Sequence, residues 1–569
     1  MGKSFAAETV AEAYLALLKD RGVDRLFVNA GTDFASIVEA YAHAKESGLE
    51  FPEPIVCAHE NLAVSMAHGA YLANGRPQAV MLHTSVGTAN GMCAIINAAR
   101  DRVPVLLTAG RTPLFERDAF GSRVSQIHWA QEMYDQAGML REFVKWDYEL
   151  RGAVQVEAVV DRAISIAMSE PRGPIYLSLP REVLAEGLDG VAAAEHGTAL
   201  PSESHPDPQA IEQLADLLAG ARLPVIVTAA TGADRRTVGL LDALCERFSI
   251  GVLENRPRYM NVPGEHPMHL GFQVNSVLSE ADVLVFMDLD VPWIPGTANP
   301  AEDATVVQCG VDPIFARYPM RSHRSDLTIR ANCASILEDL SAALADRLAA
   351  IDPGRSTRIA QMAAARRERR DAALESESKA SGRINKTFMN WALAKVRPAG
   401  SIVVNEYWAQ PEISGARLVE PGTFFDTPPA GGLGWGLPAA MGLQLASPDR
   451  TVIATVGDGA YLFANPAACH QAMAANDLAV LTVISTNEKW NAVEAAALGM
   501  YPEGHSAMAG ELSPLARLAP APRYEMYAVA SGGHGERVTE REELVPALER
   551  ALRVVREEHR HAVVNVMSD

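Results

Sequence analysis

The stretch VGDGAYLFANPAACHQAMAANDLAVLTVISTNEKWNAV (456–493) decides how this chain folds. GDG closes the apolar run RTVIATVGDG (450–459), and a second run, LAVLTVIST (478–486), follows after a segment long enough for a helix. Both runs are apolar at consecutive rather than alternate positions, the pattern of strands covered on both faces in a parallel sheet. A strand–helix–strand unit returns both strand ends to one sheet edge. Asp458 and Asn487 then face one crevice at the carboxyl edge, where open α/β sheets hold their ligands. Between Gly459 and Thr486 lie 26 residues. GDG alone is a common turn; with a second oxygen donor at this interval it is specific. Two hard oxygen donors suit Mg²⁺, which shares itself between a few protein oxygens and phosphates. The segment reads as Mg²⁺ holding a diphosphate.

The same grammar extends outward. DRLFVNAG (24–31), QAVMLHTS (78–85), PVLLTAG (104–110), PIYLSLP (174–180), LPVIVTA (223–229), DVLVFMD (282–288), SIVVNE (401–406) and HAVVNVMS (561–568) are further buried-strand candidates. Amphipathic stretches at 5–22, 60–73, 88–100, 154–169 and 236–249 alternate with them. This alternation predicts α/β layers around parallel sheets. Two linker-like stretches, 192–209 and 352–382, divide the chain into segments 1–190, 205–350 and 380–569. The RRERR core of the second (366–370) reads as a solvated helix face rather than a nucleic-acid patch.

Composition narrows the partners. Fifty Lys and Arg against 70 Asp and Glu give a formal charge of −20, which argues against a nucleic-acid binder. Six scattered cysteines form no CxxC pair and have no metal-ligand spacing, as in a reduced cytosolic protein. No apolar run reaches the roughly 18 residues a membrane span needs. The acidic, amphipathic N-terminus is no signal peptide, and Ala6 breaks a myristoylation motif. The chain is expected to be cytoplasmic, with no membrane or nucleic-acid partner.

GDG followed by Thr486-Asn487 resembles the signature of thiamine-diphosphate-dependent enzymes, where the pair is Asn-Asn and the second Asn ligates the metal. Two further stretches carry the same resemblance. In PIVCAHENLAVSMAHGAYLANGR (54–76), Glu60 stands at a strand-to-helix junction. In PPAGGLGWGLPAAMGLQLA (428–446), Leu433 sits within a glycine-rich loop. Read without the resemblance, Glu60 would simply be an acid favoured at a helix N-terminus. With it, Glu60 is expected to bond N1′ of the aminopyrimidine and so activate thiazolium C2, while Leu433 wedges beneath the folded cofactor. Asp458, Asn487 and the backbone carbonyl of Lys489 would ligate Mg²⁺. Thr32, Asn90, Gly432, Gly457, Gly459 and Ala460 complete the expected cofactor contacts.

The resemblance covers essentially the whole chain. It implies α/β architecture with three consecutive doubly wound parallel-sheet domains: pyrimidine-binding (1–190), central (205–350) and diphosphate-binding (380–569). Within the family the chain looks most like benzoylformate decarboxylase and the acetolactate-synthase-like enzymes. HTSVGTANGMCAIINAARDRVPVLLTAGRTP (83–113) is similar to the former, including a histidine at His83, and Thr32 stands where that enzyme has a pocket serine. That enzyme's second active-site histidine has no counterpart in MDLDVPWIPGTANP (287–300).

The implied activity is non-oxidative decarboxylation of a 2-oxo acid through an enamine on C2 of the cofactor. Acetolactate-synthase-like joining of that enamine to a second carbonyl compound is the alternative. A cofactor-binding relative without catalysis is opposed by the intact Glu60, Leu433, Asp458 and Asn487. TAATGADRRTVG (228–239) is glycine-poor for a dinucleotide loop, and FAD is not expected. His83 is the candidate general acid–base, since imidazole titrates near neutrality. His59 is read as structural, and His128 as either a pocket or a surface residue. Tyr407, Trp408, Trp435, Phe463 and Trp490 could line a pocket or pack a core or interface. The family pattern also implies a homodimer or homotetramer, with Glu60 and Asp458 of one site supplied by different chains.

Overall fold

The computed structural model describes residues 3–194, 197–410, 418–509 and 513–569. A short antiparallel pair joins β1 (Lys3–Phe5) to β8 (Val191–Ala193). Between them lie β2 (Arg25–Val28), β3 (Glu53–Val56), β4 (Gln78–Leu82), β5 (Val105–Arg111), β6 (Asp147–Glu149) and β7 (Ile175–Pro180). These six form one parallel sheet in the order β3-β2-β4-β5-β7-β6. The second sheet, also parallel, contains β9 (Pro224–Thr228), β10 (Gly251–Glu254), β11 (Val283–Met287), β12 (Thr305–Gly310) and β13 (Leu327–Arg330), in the order β10-β9-β11-β12-β13. β14 (Ile402–Glu406) pairs in parallel with β15 (Phe424–Phe425). β16 (Val452–Gly457), β17 (Val480–Thr486), β18 (His534–Val538) and β19 (Ala562–Met567) run parallel in the order β16-β17-β19-β18. The expected three parallel-sheet α/β architecture is therefore present.

The strand expectations follow the burial. Every residue of β4, β9, β11, β14 and β17 is buried, as their unbroken apolar runs require. Of the expected helices, 60–73 becomes Glu60–Asn74 and 236–249 becomes Arg236–Phe248. The 88–100 stretch forms two helices, Thr84–Asn90 and Met92–Arg100, meeting at Gly91.

The described chain divides into two compact units, 1–201 with 427–539 and 549–569, and 202–426 with 540–548. In the first, helix Glu60–Asn74 packs on helix Gly436–Ala446. Glycines set that distance: a Cβ on Gly69 would lie 2.0 Å from the Ala439 carbonyl oxygen, and one on Gly442 would lie 1.9 Å from that of Met66. Backbone therefore meets backbone, and Trp435 beside this contact donates its indole N–H to His68 Nδ1 at 3.2 Å.

In the second unit the 352–382 stretch forms a 25-residue helix, Arg355–Lys379. Its RRERR core departs from the expected solvated face: Arg366 and Arg370 are buried. Arg366 bonds His269, and Arg370 pairs with Glu265 at 2.8 Å. The 265–269 loop offers polar partners to these guanidinium groups, whose stems are apolar enough to be covered.

Candidate active site

Two sheet edges in the first unit carry the expected site residues. At the first, β16 and β17 lie side by side with Gly457 opposite Ser485. Gly457 is the N-cap of helix Asp458–Phe463, so Asp458 opens that helix beside the 487–489 turn. The Asp458 carboxylate accepts the backbone N–H of Gly459 and of Glu488, both at 2.9 Å. It is buried, and no cationic side chain among the described residues pairs with it. Burial pushes its carboxyl above the ordinary carboxylate value, against the pull of those N–H groups. Asn487 Oδ1 accepts the Lys489 N–H at 3.2 Å, and Lys489 Nζ turns away to Glu494 at 2.9 Å. Gly459 has no room for a side chain: a Cβ there would sit 2.3 Å from the Trp490 ring. Ala460, on the same helix, is buried.

This donor set fits a hard divalent cation. It offers a buried carboxylate lacking a counter-charge, an amide oxygen and backbone carbonyls. No group of three His, Cys, Asp or Glu among the described residues could hold a metal alone. An ion here would draw its remaining ligands from phosphate oxygens and water, as Mg²⁺ does. Behind the turn, Thr486 donates its hydroxyl to Asn565 Oδ1 at 2.7 Å, and Asn565 Nδ2 donates to Glu525 Oε2 at 2.9 Å. The residue that departs from the Asn-Asn signature thus belongs to a buried polar chain that anchors the turn.

The second edge gathers residues after β2, β3 and β4. Asn29 donates its backbone N–H to the Met81 carbonyl and Cys57 donates to that of Val28, which ties the three strand ends together. Glu60 begins helix Glu60–Asn74, and His59 caps it by accepting the Asn61 N–H at 3.1 Å. His59 is therefore structural in this contact, as its sequence position suggested. Asn90 donates its amide to Glu60 Oε2 and stands 3.3 Å from His59 Nε2. His83 Nδ1 lies 2.5 Å from Asp33 Oδ1, and its Nε2 is 3.2 Å from Gln131 Nε2. The Asp33 hydrogen bond raises the His83 pKa; burial opposes this and the nearby Glu60 charge supports it. His128 is buried and accepts the Val124 N–H at 3.3 Å. Burial, followed by the charges of Arg181 and Arg123, holds it below the ordinary imidazole value.

The glycine-rich loop connects the two edges within this chain. Asn97 grips Gly432 from both sides, donating to its carbonyl at 2.8 Å and accepting its N–H at 3.0 Å. Asn61 Nδ2 donates to the Gly434 carbonyl at 3.2 Å. Cys93 Sγ lies 3.9 Å from the Leu433 carbonyl oxygen. Gly434 (φ +85°) occupies the left-handed region, where a Cβ would also strike the Phe463 carbonyl 2.5 Å away. Leu433 is thereby held next to helices Glu60–Asn74 and Met92–Arg100.

Among the aromatic candidates, Trp435 is fully buried packing in this unit, and Trp490 and Phe463 meet edge to face at 5.8 Å. In the second unit Trp408 is buried and Tyr407 is half exposed. Thr32 is exposed and opens a turn whose next residue, Asp33, points at His83. Sequence reasoning missed Asp33 and Gln131. Asp33 carried one available signal, a carboxylate just past a buried strand, whereas Gln131 carried none.

Comparison with known proteins shows the family and the fold. The family model described as thiamine pyrophosphate enzyme, N-terminal TPP binding domain, matches residues 8–139, and its C-terminal TPP binding domain counterpart matches 409–566. Benzoylformate decarboxylase of Pseudomonas aeruginosa is 30% identical over 480 residues, covering 79% of this chain and 81% of its own. A probable acetolactate synthase of Mycobacterium bovis is 28% identical over 559 residues, covering 97% and 94%. The structure of a thiamine diphosphate-dependent 4-hydroxybenzoylformate decarboxylase from Rhodococcus jostii superposes with a TM-score of 0.77 at 23% identity, over 99% of both chains, and so shares the fold.

Proposed function

Because this chain belongs to the thiamine pyrophosphate enzyme family, we propose that it decarboxylates a 2-oxo acid without oxidation, using thiamine diphosphate and Mg²⁺. The observation that supports the reading is that Glu60, bonded to Asn90, and His83 both flank Gly87, while Asn61 next to Glu60 bonds the loop that carries Leu433. When bound, thiamine diphosphate supplies the electron sink that lets a carboxylate leave as CO₂. The chain's own groups hold and feed that chemistry. Asp458, Asn487 and the Lys489 carbonyl would hold Mg²⁺ against the diphosphate. Glu60, oriented by Asn90, would hold the aminopyrimidine nitrogen, and Leu433 would support the cofactor from below. His83 would give a proton at Nε2 to the product and take one back from water.

A second reading, joining of the two-carbon unit to another carbonyl compound, is favoured by the similarity to an acetolactate synthase over 97% of the chain. A decarboxylation screen of pyruvate and of branched-chain, aromatic and sulfonated 2-oxo acids tests both readings, with and without acceptor aldehydes. Aldehyde as sole product supports the first. Acetolactate from pyruvate supports the second, and no CO₂ from any substrate refutes both.

We place the enzyme in the cytoplasm as a homodimer or homotetramer in which Glu60 and Asp458 of one site come from different chains. Support comes from exposed apolar side chains in the same unit, including Phe120, Val124, Met500 and Leu515. No helix among the described residues is long and apolar enough to cross a membrane.

A further inference from the structure

We propose that Asp33 is a positioning residue for His83: it fixes the imidazole with Nδ1–H turned inward and so leaves Nε2, the ring atom beside Gln131, as the one that exchanges protons. This rests on the reading of His83 as the proton donor. The geometry is built for the pair. Asp33 Oδ1 lies 2.5 Å from His83 Nδ1, and Asp33 Oδ2 accepts the Thr84 N–H at 3.2 Å. One carboxylate thus holds both the ring and the backbone that follows it. Thr84 is held at φ +36°, outside the regions a β-branched residue prefers.

Two glycines make the space. A Cβ at Gly31 would sit 2.1 Å from His83 Nδ1, and one at Gly110 would sit 1.9 Å from Asp33 Oδ2. Any other residue at either position would push the partners apart. Asp33 is buried while the His83 ring retains some exposure, so the carboxylate lies behind and the imidazole edge in front. A buried carboxylate facing an imidazole stabilises the imidazolium, because its charge is not screened by water. The direction of the His83 shift agrees, with the Asp33 hydrogen bond as its largest cause.

The remaining charged neighbours are few. Glu60, on helix Glu60–Asn74, adds a smaller upward pull. His128, on helix Ile127–Ala130, is itself held below its ordinary value and so adds little positive charge at neutral pH. Gln131 faces Nε2, and Ser85 Oγ donates to the Gln131 carbonyl at 2.7 Å, which fixes its backbone. Its side-chain amide can offer NH₂ to a neutral imidazole or, turned over, oxygen to an imidazolium. The site therefore accommodates both protonation states of His83 without moving the ring.

CO₂ departs, and the electron pair of the broken C–C bond would stay on the carbon held by the cofactor. That pair would take the proton from His83 Nε2, forming a C–H bond and leaving a neutral imidazole; the aldehyde leaves when its bond to the cofactor breaks and its hydroxyl proton is lost to water. Water or buffer then returns a proton to Nε2. Asp33 keeps its charge throughout and exchanges no proton.

The test compares wild type, Asp33→Asn and Asp33→Ser by NMR titration of histidine Cε1–H signals, with His83 assigned as the signal missing in His83→Gln. No cofactor or turnover is needed for this readout. We expect the His83 midpoint to fall in both Asp33 variants and the pH profile of kcat to move down with it, with KM changing less than kcat. A His83 midpoint equal to that of wild type in both variants overturns the proposal. A lowered midpoint with an unshifted kcat profile overturns the positioning role as well. If the reading of the whole site is wrong, the substrate screen fails while the NMR shift still appears.

Discussion

The two sheet edges of the first unit are built by one rule and loaded differently. Both place a carboxylate just beyond a buried parallel strand, Asp458 after β16 and Asp33 after β2. Both carboxylates are buried and accept backbone N–H groups. Asp33 is answered by an imidazole, whereas Asp458 has only uncharged backbone donors around it. An edge that supplies its own counter-charge can hold and release a proton. An edge that lacks one is a seat for an external cation, which is the more economical account of an unpaired buried carboxylate. The proposed division of labour, proton chemistry at one edge and cofactor grip at the other, would follow from that single difference.

The largest break in this comparison should come from Glu60→Gln, which removes charge at the proton-handling edge and leaves the cation seat intact. Turnover should fall by about 10²–10⁴-fold, the range for a lost acid–base group, while Mg²⁺-dependent cofactor affinity persists. Unchanged turnover would contradict the role given to Glu60. The exchange of halves is read by co-expressing Glu60→Gln with Asp458→Asn. If the halves come from different chains, random pairing restores about a quarter of wild-type activity through hybrid sites carrying neither substitution. Restoration near zero would mean that each chain completes its own site.

A smaller effect sharpens the contrast between the ligand turn and its support. Thr486→Val deletes the hydroxyl that donates to Asn565 and strands that buried acceptor. It should cost about 1–3 kcal/mol of stability, read as a lower Tm, with cofactor affinity reduced by less than in Asp458→Asn. A Tm equal to wild type would show that the polar chain behind the turn does not anchor it.

Much of this was legible because central parallel strands write their burial directly into sequence. β4, β9, β11, β16 and β17 appear as unbroken apolar runs, and their ends point to His83, Asp458 and Asn487. β3, β13 and β18 lie at sheet edges and expose much of their length, so they lack that signature. The Asp33–His83–Gln131 cluster joins residues 33, 83 and 131, which only the fold brings together. The RRERR segment misled for the converse reason: charge in sequence suggests solvent, but Arg366 and Arg370 find buried partners on the 265–269 loop.

Asp458 and its neighbours would form a cation seat for a diphosphate cofactor, a role read by calorimetry of thiamine diphosphate binding. Saturable binding to wild type is expected in the presence of Mg²⁺, with its loss on chelation and a decrease of at least about 100-fold in Asp458→Asn, since even groups behind metal ligands typically cost 10–100-fold. Binding of equal strength without Mg²⁺ or in Asp458→Asn, or no binding to wild type, would contradict it.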